Sequence, residues 1–135
     1  MAASPRTFSR ARLAIAIGLA VVVNGIVFWI AVAAGAAGAV TQPAYQELTV
    51  LVVILATVLP LALAGVVVWF IARRRPAFRR WAAWLGLVVA VVSAVSPLFV
   101  SADVATGVAL GVMHIVAGVA WFVGIGGASA RKVAQ

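Results

Sequence analysis

Four long stretches of the chain are almost continuously apolar, and short polar segments separate them. The stretches cover residues 13–34, 50–71, 81–100 and 104–125. Each holds about 20 residues, the length of helix that crosses a hydrocarbon core of about 30 Å. The apolar residues do not alternate with polar ones, so the pattern predicts helices and not a β-barrel. We therefore predict an all-α integral membrane four-helix bundle that forms a single domain.

Composition agrees with a membrane protein. Hydrophobic residues make up 67% of the 135 residues and charged residues only 9%, whereas a soluble domain is about 45–50% apolar and about 25% charged. A water-soluble fold of this size could not bury so much apolar surface, so lipid must cover much of it. The chain has no cysteine, which excludes disulfides and thiolate chemistry.

The ten positive charges lie only on alternate connections between the apolar stretches. They precede the first stretch, form an arginine-rich loop at 73–80, and follow the fourth stretch. The other two connections hold no Lys or Arg but carry the only acids, Glu47 and Asp103. Because Lys and Arg flank membrane helices on the cytoplasmic side, we predict that both termini are cytoplasmic. The preference for Arg over Lys, with abundant Ala and Val, suggests a high-GC bacterial genome. We therefore expect a multi-pass protein of the bacterial cytoplasmic membrane.

The formal net charge of +8 does not indicate nucleic-acid binding, because topology accounts for every cluster of arginines. We expect the arginines to contact anionic lipid headgroups instead, at about 1 kcal/mol per charge. The loop residues concerned are Arg73, Arg74, Arg75, Arg79 and Arg80.

The first apolar stretch has a second interpretation, as a signal peptide. Ala31-Val32-Ala33 resembles a cleavage site, but the run is longer than the about 7–15 residues of a signal core. An uncleaved first helix is preferred, and cleavage stays an alternative.

Aromatic residues are expected to anchor the bundle at the two membrane interfaces. Trp69, Trp81, Trp84 and Trp121 lie toward the cytoplasmic ends of their stretches, and Trp29 and Tyr45 toward the outer ends.

Small residues on the third and fourth stretches predict a tight antiparallel hairpin. Spacings of three and four put Asp103, Gly107, Gly111, His114 and Gly118 on one helical face. A matching row on the third helix holds Gly86, Ala90, Ser93 and Pro97. Small residues let helix backbones approach closely. We therefore predict that the rows face each other, with packing residues Gly86, Ala90, Gly107, Gly111 and Gly118.

Each stretch also brings a polar or helix-disrupting residue close to the membrane midplane: Asn24, Pro60, Ser93 and His114. A lipid-facing Asn or His would be costly there, so we expect these residues to point inward. One interpretation is structural, with Asn24 or Ser93 hydrogen-bonded to His114, or with Asn24 or His114 bonded to the carbonyl that Pro60 frees. The other is a functional polar site or proton-sensitive switch, since His titrates near physiological pH.

The two acids also have two interpretations. Asp103 directly precedes the fourth helix and Glu47 the second, where a carboxylate caps a helix and interacts with its dipole. Alternatively, both acids form an outer mouth that attracts cations. The first outer loop, residues 35–49, is long enough to be mobile or to fold over the end of the bundle.

No set of residues for catalysis is apparent. One His and two distant acids make no metal centre, and there is no nucleophile elbow and no phosphate-binding glycine loop. The sequence therefore predicts no enzyme activity, no cofactor and no metal.

Several short motifs are arranged as in a known family. They are Asn24 in the first helix, Leu59-Pro60-Leu61, Arg73-Arg74-Arg75-Pro76, Asp103-Val104-Ala105-Thr106 and Leu110-Gly111-Val112-Met113-His114. With these motifs the whole chain resembles an uncharacterised four-transmembrane-helix membrane protein family found mainly in actinobacteria. The resemblance implies the fold and a membrane location but no activity.

Two better-known families of similar length fit less well. Small multidrug exporters need a carboxylate within the first helix, where this chain has only Asn24. The glycine-rich and Asn signatures of fluoride channels are not found.

Two functional hypotheses remain. The first is a non-enzymatic accessory or interaction subunit, in a homo-oligomer or with another membrane protein. The second is a small-solute or proton-linked transporter or channel, with Asn24, Ser93 and His114 along the path and Asp103 at the outer mouth. A polar cavity at the midplane would favour transport, and a closed interior with His114 bonded to Asn24 would oppose it.

Overall fold

The structure, a computed structural model, describes residues 9–126. It contains the helices α1 (Arg10–Ala33), α2 (Val50–Arg74), α3 (Phe78–Ser93), α4 (Pro97–Val100) and α5 (Val104–Ile125), with the short strands β1 (Ala39–Val40) and β2 (Gln46–Glu47) between α1 and α2. Four helical spans are long and apolar enough to cross a membrane, since α3 and α4 together form one of them. The predicted all-α membrane bundle of four helices is confirmed. Arg6, Arg131 and Lys132, which contributed to the charge pattern, lie outside the described residues.

Polar side chains just outside the apolar stretches decide where three of the helices begin. Ser9 Oγ accepts a hydrogen bond from the Arg12 N–H at 3.2 Å, and Thr49 Oγ1 accepts one from the Val52 N–H at 3.3 Å. Asp103 caps α5 in the same way. Such caps satisfy N–H groups that have no partner within the helix. For this reason α1 begins at Arg10, three residues before the apolar stretch.

The predicted third helix is interrupted near its outer end. Pro97 has no N–H, and its ring would clash with the Ser93 carbonyl in a continuous helix. The Ser96 N–H donates to that carbonyl instead, at 3.1 Å. The chain therefore makes a tighter turn at residues 94–96 before α4.

The backbones of α3 and α4 approach that of α5 closely, as the two rows of small residues predict. A Cβ added to Gly111 would lie 2.8 Å from the Ala94 carbonyl oxygen, and one on Gly107 would lie 3.1 Å from that of Pro97. Gly118 faces the Ala90 side chain, and Gly86 faces the indole of Trp121. The structure thus places the two rows against each other.

Helix α5 also packs along α1, and α1 along α2, whereas α2 makes few contacts with α3 and α5. Arg10 and Arg73 lie at the same end of the bundle, which we call the arginine end. The core cluster nearest to it is the larger one and contains Leu13, Leu61, Val68, Ala82, Ala83, Trp121 and Ile125. A smaller cluster, Phe28, Val53 and Met113, lies toward the opposite end, which we call the loop end.

The expectation that Trp121 anchors the bundle at the interface is wrong. Trp121 is only 6% exposed, and its Nε1–H donates to the Ala82 carbonyl at 2.8 Å. The space left by Gly86 admits the ring into the core. Trp81 and Trp84 remain exposed, as interface residues would be.

The long loop at the loop end folds over the bundle. Strands β1 and β2 pair antiparallel, and the Thr41 N–H donates to the Val100 carbonyl at 2.8 Å. The Ala102 N–H donates to the Ala39 carbonyl at 2.9 Å. Backbone bonds therefore tie the first loop to the turn before α5.

Candidate functional site

A partly open cavity of about 140 Å³ lies between α1, α2 and α5, in the half of the bundle nearer the loop end. It exists because α2 packs on α1 but stays apart from α5. Its polar lining residues are Asn24, Thr57 and His114, and the others are apolar. The structure thus brings two of the four predicted midplane residues, Asn24 and His114, to one cavity.

Asn24 is held by a hydrogen-bond chain between α1 and α2. Its Nδ2 donates to Thr57 Oγ1 at 2.9 Å, and the Thr57 hydroxyl donates to the Val53 carbonyl at 2.8 Å. A hydroxyl has one proton, so Thr57 must accept from Asn24, which fixes the orientation of the amide. The residue is 2% exposed, yet its Oδ1 has no hydrogen-bond partner.

Thr57 was missed by sequence reasoning. It is the only hydroxyl-bearing residue in the apolar stretch 50–71, and that is the signal that could have found it. Bonding of a Thr hydroxyl to the carbonyl four residues earlier is common within helices. Here the same hydroxyl oxygen also accepts a hydrogen bond from the Asn24 amide. Thr57 therefore connects α2 to α1.

His114 makes its hydrogen bond within its own helix. Nδ1 lies 2.8 Å from the Leu110 carbonyl oxygen, which can only accept, so Nδ1 carries the proton. In the neutral ring Nε2 is then an acceptor. The bond expected from His114 to Asn24 or Ser93 is not formed.

Pro60 and Ser93 lie outside the cavity. The Ser93 hydroxyl donates to the Ala90 carbonyl at 3.1 Å, on its own helix. Pro60 is exposed on α2, and neither Asn24 nor His114 donates to the carbonyl that it frees. That carbonyl belongs to Ala56, because a proline lacks the N–H that would bond four residues back. Ala56 itself lines the cavity.

Within the part of the chain that the structure describes, the lining of this cavity ends before the larger core cluster. On α5 its lining reaches Ala117, and one helical turn later Trp121 belongs to the larger core cluster. The interior is therefore packed in the half of the bundle nearer the arginine end, and the cavity lies in the half nearer the loop end.

In chemical terms the cavity presents hydrogen-bond acceptors on apolar walls. The acceptors carried by its lining residues are Asn24 Oδ1, which is itself buried, the Ala56 carbonyl, and Nε2 of His114 when the ring is uncharged. Among residues 9–126 no three His, Asp or Glu side chains come together as metal ligands. The arrangement suits binding of a donor-bearing group.

The two acids at the loop end differ in their surroundings. Asp103 Oδ1 accepts from the Thr106 N–H at 2.9 Å, and Oδ2 accepts from the Thr106 hydroxyl at 2.6 Å. Oδ2 also accepts from the Ala37 N–H at 2.9 Å. Asp103 is thus the cap of α5 and a tie to the first loop. Glu47 lies exposed in β2, and Thr49 caps α2 in its place.

The pKa of Asp103 lies below its ordinary value of 3.8, chiefly because of the hydrogen bond from the Thr106 hydroxyl and then that from the Thr106 N–H. The Ala37 N–H lowers it further. A carboxyl whose pKa is lowered by folding stabilises the fold above the unfolded value and loses that contribution as pH falls through the folded value.

We expect the tie between Asp103 and the first loop to break on acidification below pH 3.8. The measurement is an NMR titration of the Ala37 and Thr106 amide resonances in micelles, from neutral pH downward. Both should shift together below that pH, and the Asp103→Asn variant should show no such transition. The Glu47→Gln variant should keep it, and its loss there would contradict the assignment to Asp103.

The predicted headgroup residues surround the turn between α2 and α3. Arg73 and Arg74 lie in the last turn of α2, and Arg75 follows that helix. Arg79 and Arg80 lie in the first turn of α3.

Comparison with known proteins places the chain in a family. A model described as a family of unknown function (DUF6069) matches residues 4–131. No curated protein and no solved structure matches the chain. The uncharacterised family indicated by the sequence motifs is thereby confirmed, and an actinobacterial origin stays a prediction.

Proposed function

We propose a role for this chain from the chemistry of its cavity, because the chain belongs to a family of unknown function (DUF6069). The protein is a non-enzymatic interaction subunit of the bacterial cytoplasmic membrane. Its cavity receives one donor-bearing side chain from a transmembrane helix of a partner membrane protein. The arginine end, with both termini, faces the cytoplasm.

The observation that carries this proposal is the unpartnered Oδ1 of Asn24 beside a cavity at hydrocarbon depth. Water is scarce in the bilayer core, and each unsatisfied polar group there costs several kcal/mol. The oxygen is buried in the chain alone, so the proposal requires that the Asn24 side chain or its neighbours shift enough for a donor from a neighbouring helix to reach it. The Ala56 carbonyl and His114 Nε2 would add acceptors for the same group.

The size and position of the cavity suit a side chain better than a whole helix. An engineered cavity of about 150 Å³ holds one benzene molecule, and this cavity of about 140 Å³ is similar. Ala56 and Ala117 line it, and small residues allow a second helix to approach closely. A helix lying along the gap between α2 and α5 could therefore insert one side chain.

The charge pattern supports the orientation. Residues 13–72 and 81–130 contain no Lys or Arg, and all ten positive residues lie at 6–12, 73–80 and 131–132. Positive residues flank membrane helices on the cytoplasmic side. The cavity then opens in the outer half of the membrane.

Capture of a partner from native membranes tests the proposal. A photo-crosslinking residue at position 56 should yield one reproducible crosslinked membrane protein. The same residue at Leu51, which is 60% exposed on a different face of α2, should not. Asn24→Leu should reduce the yield about threefold, the effect of one interhelical hydrogen bond of about 0.6 kcal/mol. Ala117→Leu, which enlarges a lining residue on the α5 side of the gap while the crosslinker stays at position 56, should reduce it further.

Controls separate binding from folding. Ala105→Leu makes the same change at an exposed position of α5 away from the cavity, and Ser93→Ala removes a hydroxyl that bonds only its own helix. Both should leave capture unchanged. Crosslinking that is equal at positions 56 and 51 would contradict a specific partner.

A second candidate function, small-solute or proton-linked transport, is favoured by the approach of the cavity to the midplane at Asn24 and His114. It requires that the core around Trp121 open during each cycle. Absence of a crosslinked partner, together with solute flux in proteoliposomes that changes in His114→Ala, would replace the first proposal with this one.

A further inference from the structure

Two arginines meet at one tryptophan at the arginine end. The Arg10 guanidinium carbon lies 5.0 Å from the centre of the Trp69 ring, and that of Arg73 lies 4.9 Å from it. A cation over an aromatic face is attracted by the ring's quadrupole. Arg10 is the first residue of α1 and Arg73 lies in the last turn of α2. These residues are distant in sequence, so only tertiary packing brings them together.

No acidic side chain can neutralise this pair. The chain has only two acids, and both lie at the loop end, Asp103 bonded to Thr106 and Ala37, and Glu47 in β2. Two like charges held close to a low-dielectric membrane repel each other. The geometry therefore calls for an anion from outside the chain.

A groove of about 300 Å³ begins at Arg10 and Trp69 and runs between α1 and α2 toward the membrane interior. Arg10 and Trp69 line its start, and its walls continue with apolar residues that include Ala14, Ile17, Ala62 and Val66. Gly65 has no side chain to close it, and Leu13 packs there. Charge at one end and apolar walls along the rest match the two parts of a phospholipid.

We propose that Arg10, Trp69 and Arg73 form a binding site for an anionic phospholipid, with its phosphate bound by the guanidinium groups beside Trp69 and an acyl chain in the groove. Guanidinium groups donate paired hydrogen bonds to phosphate oxygens, which gives stronger and more directional contacts than lysine. Basic pockets between membrane helices on the cytoplasmic side bind anionic headgroups. The site is separate from the cavity and does not depend on the partner proposed for it.

Titration of the purified full chain with phosphatidylglycerol, followed by native mass spectrometry, tests the site. One phosphatidylglycerol should bind much more tightly than phosphatidylcholine. The double variant Arg10→Gln/Arg73→Gln should weaken phosphatidylglycerol binding about thirtyfold, as expected for two charges near a headgroup. The control Arg74→Gln/Arg75→Gln removes the same charge from neighbouring exposed positions that do not line the groove, and it should weaken binding much less than the Arg10→Gln/Arg73→Gln variant.

A groove-filling variant tests the acyl chain without changing charge. Ala62→Leu should weaken phosphatidylglycerol binding while the helical content and thermal stability stay those of the unaltered chain. If the two double variants weakened phosphatidylglycerol binding equally, the proposed site would be overturned, because a general attraction between the arginines and anionic lipid would explain the binding. Binding of free glycerol phosphate as tightly as phosphatidylglycerol, or no effect of Ala62→Leu, would overturn the lipid assignment.

Discussion

Replacing Trp121 by alanine is expected to lower the free energy of unfolding by about 3 kcal/mol, the largest effect of any single substitution considered for this bundle. Tryptophan-to-alanine changes in packed cores cost about 3–5 kcal/mol. The lower end applies because separated membrane helices remain in lipid, so less hydrophobic transfer energy is lost. Trp121 fills the space beside Gly86 and bonds the Ala82 carbonyl. Its removal therefore leaves a cavity where α3 and α5 meet.

The measurement is unfolding by sodium dodecyl sulfate in mixed micelles, followed by far-ultraviolet circular dichroism. Trp81→Ala is the matched control, because that ring is 77% exposed and packs little. Trp121→Phe keeps most of the ring volume and removes the indole N–H, so its smaller loss measures the hydrogen bond. A loss in Trp81→Ala as large as in Trp121→Ala would show that lipid anchoring, and not core packing, governs stability.

Replacing Gly111 by alanine is expected to cost about 1–3 kcal/mol, as overpacking of a tight interior does. The new methyl carbon would lie 2.8 Å from the Ala94 carbonyl oxygen. That oxygen belongs to the backbone and cannot rotate away, so α3 and α5 must separate. The separation would also loosen the close approach of Gly107 to the backbone of Pro97 and Leu98 nearby.

Gly25→Ala makes the same chemical change without the steric one. No neighbouring atom lies within 4 Å of a Cβ at Gly25, and alanine is a better helix former than glycine by about 1 kcal/mol. This variant should be neutral or slightly stabilising in the same unfolding assay. If both substitutions destabilise the bundle equally, close approach of α3 and α5 is not what Gly111 provides.

These two predictions concern the half of the bundle that is packed, and the contrast with the other half bears on function. Around Trp121 the helices are close and the interior is filled. Around Asn24 and His114 a gap remains between α2 and α5. Binding a partner in that gap leaves the packed half undisturbed, whereas transport would require that half to open.

The sequence predicted the helices well because each is set by a local property. A run of about 20 apolar residues must be helical in lipid, where its backbone groups have no other partners. The details that the sequence analysis missed also have local causes, which lie in single residues at the helix ends. Ser9 extends α1 through its capping hydroxyl, and Pro97 divides the third span because it lacks an N–H.

The candidate site could be predicted only in part. Depth along the helices indicated Asn24 and His114, which do line one cavity. Depth does not specify the direction in which a side chain points, so Pro60 and Ser93 were grouped with them although they lie outside it. Thr57, which fixes the Asn24 amide, was overlooked because a single hydroxyl is a weak signal in an apolar run.

By itself, the sequence determined that the chain forms four membrane helices and which segments connect them, because exposing backbone groups to lipid is costly. It also determined where the faces of small residues lie, because these faces follow from helical periodicity. Only the tertiary structure decided that Trp121 is core, that Asn24 keeps an unpartnered oxygen, and that Arg10 joins Arg73 at Trp69. Each of these depends on how helices distant in sequence are rotated and spaced. That rotation is set by the summed fit of many side chains, which no single pattern along the chain encodes.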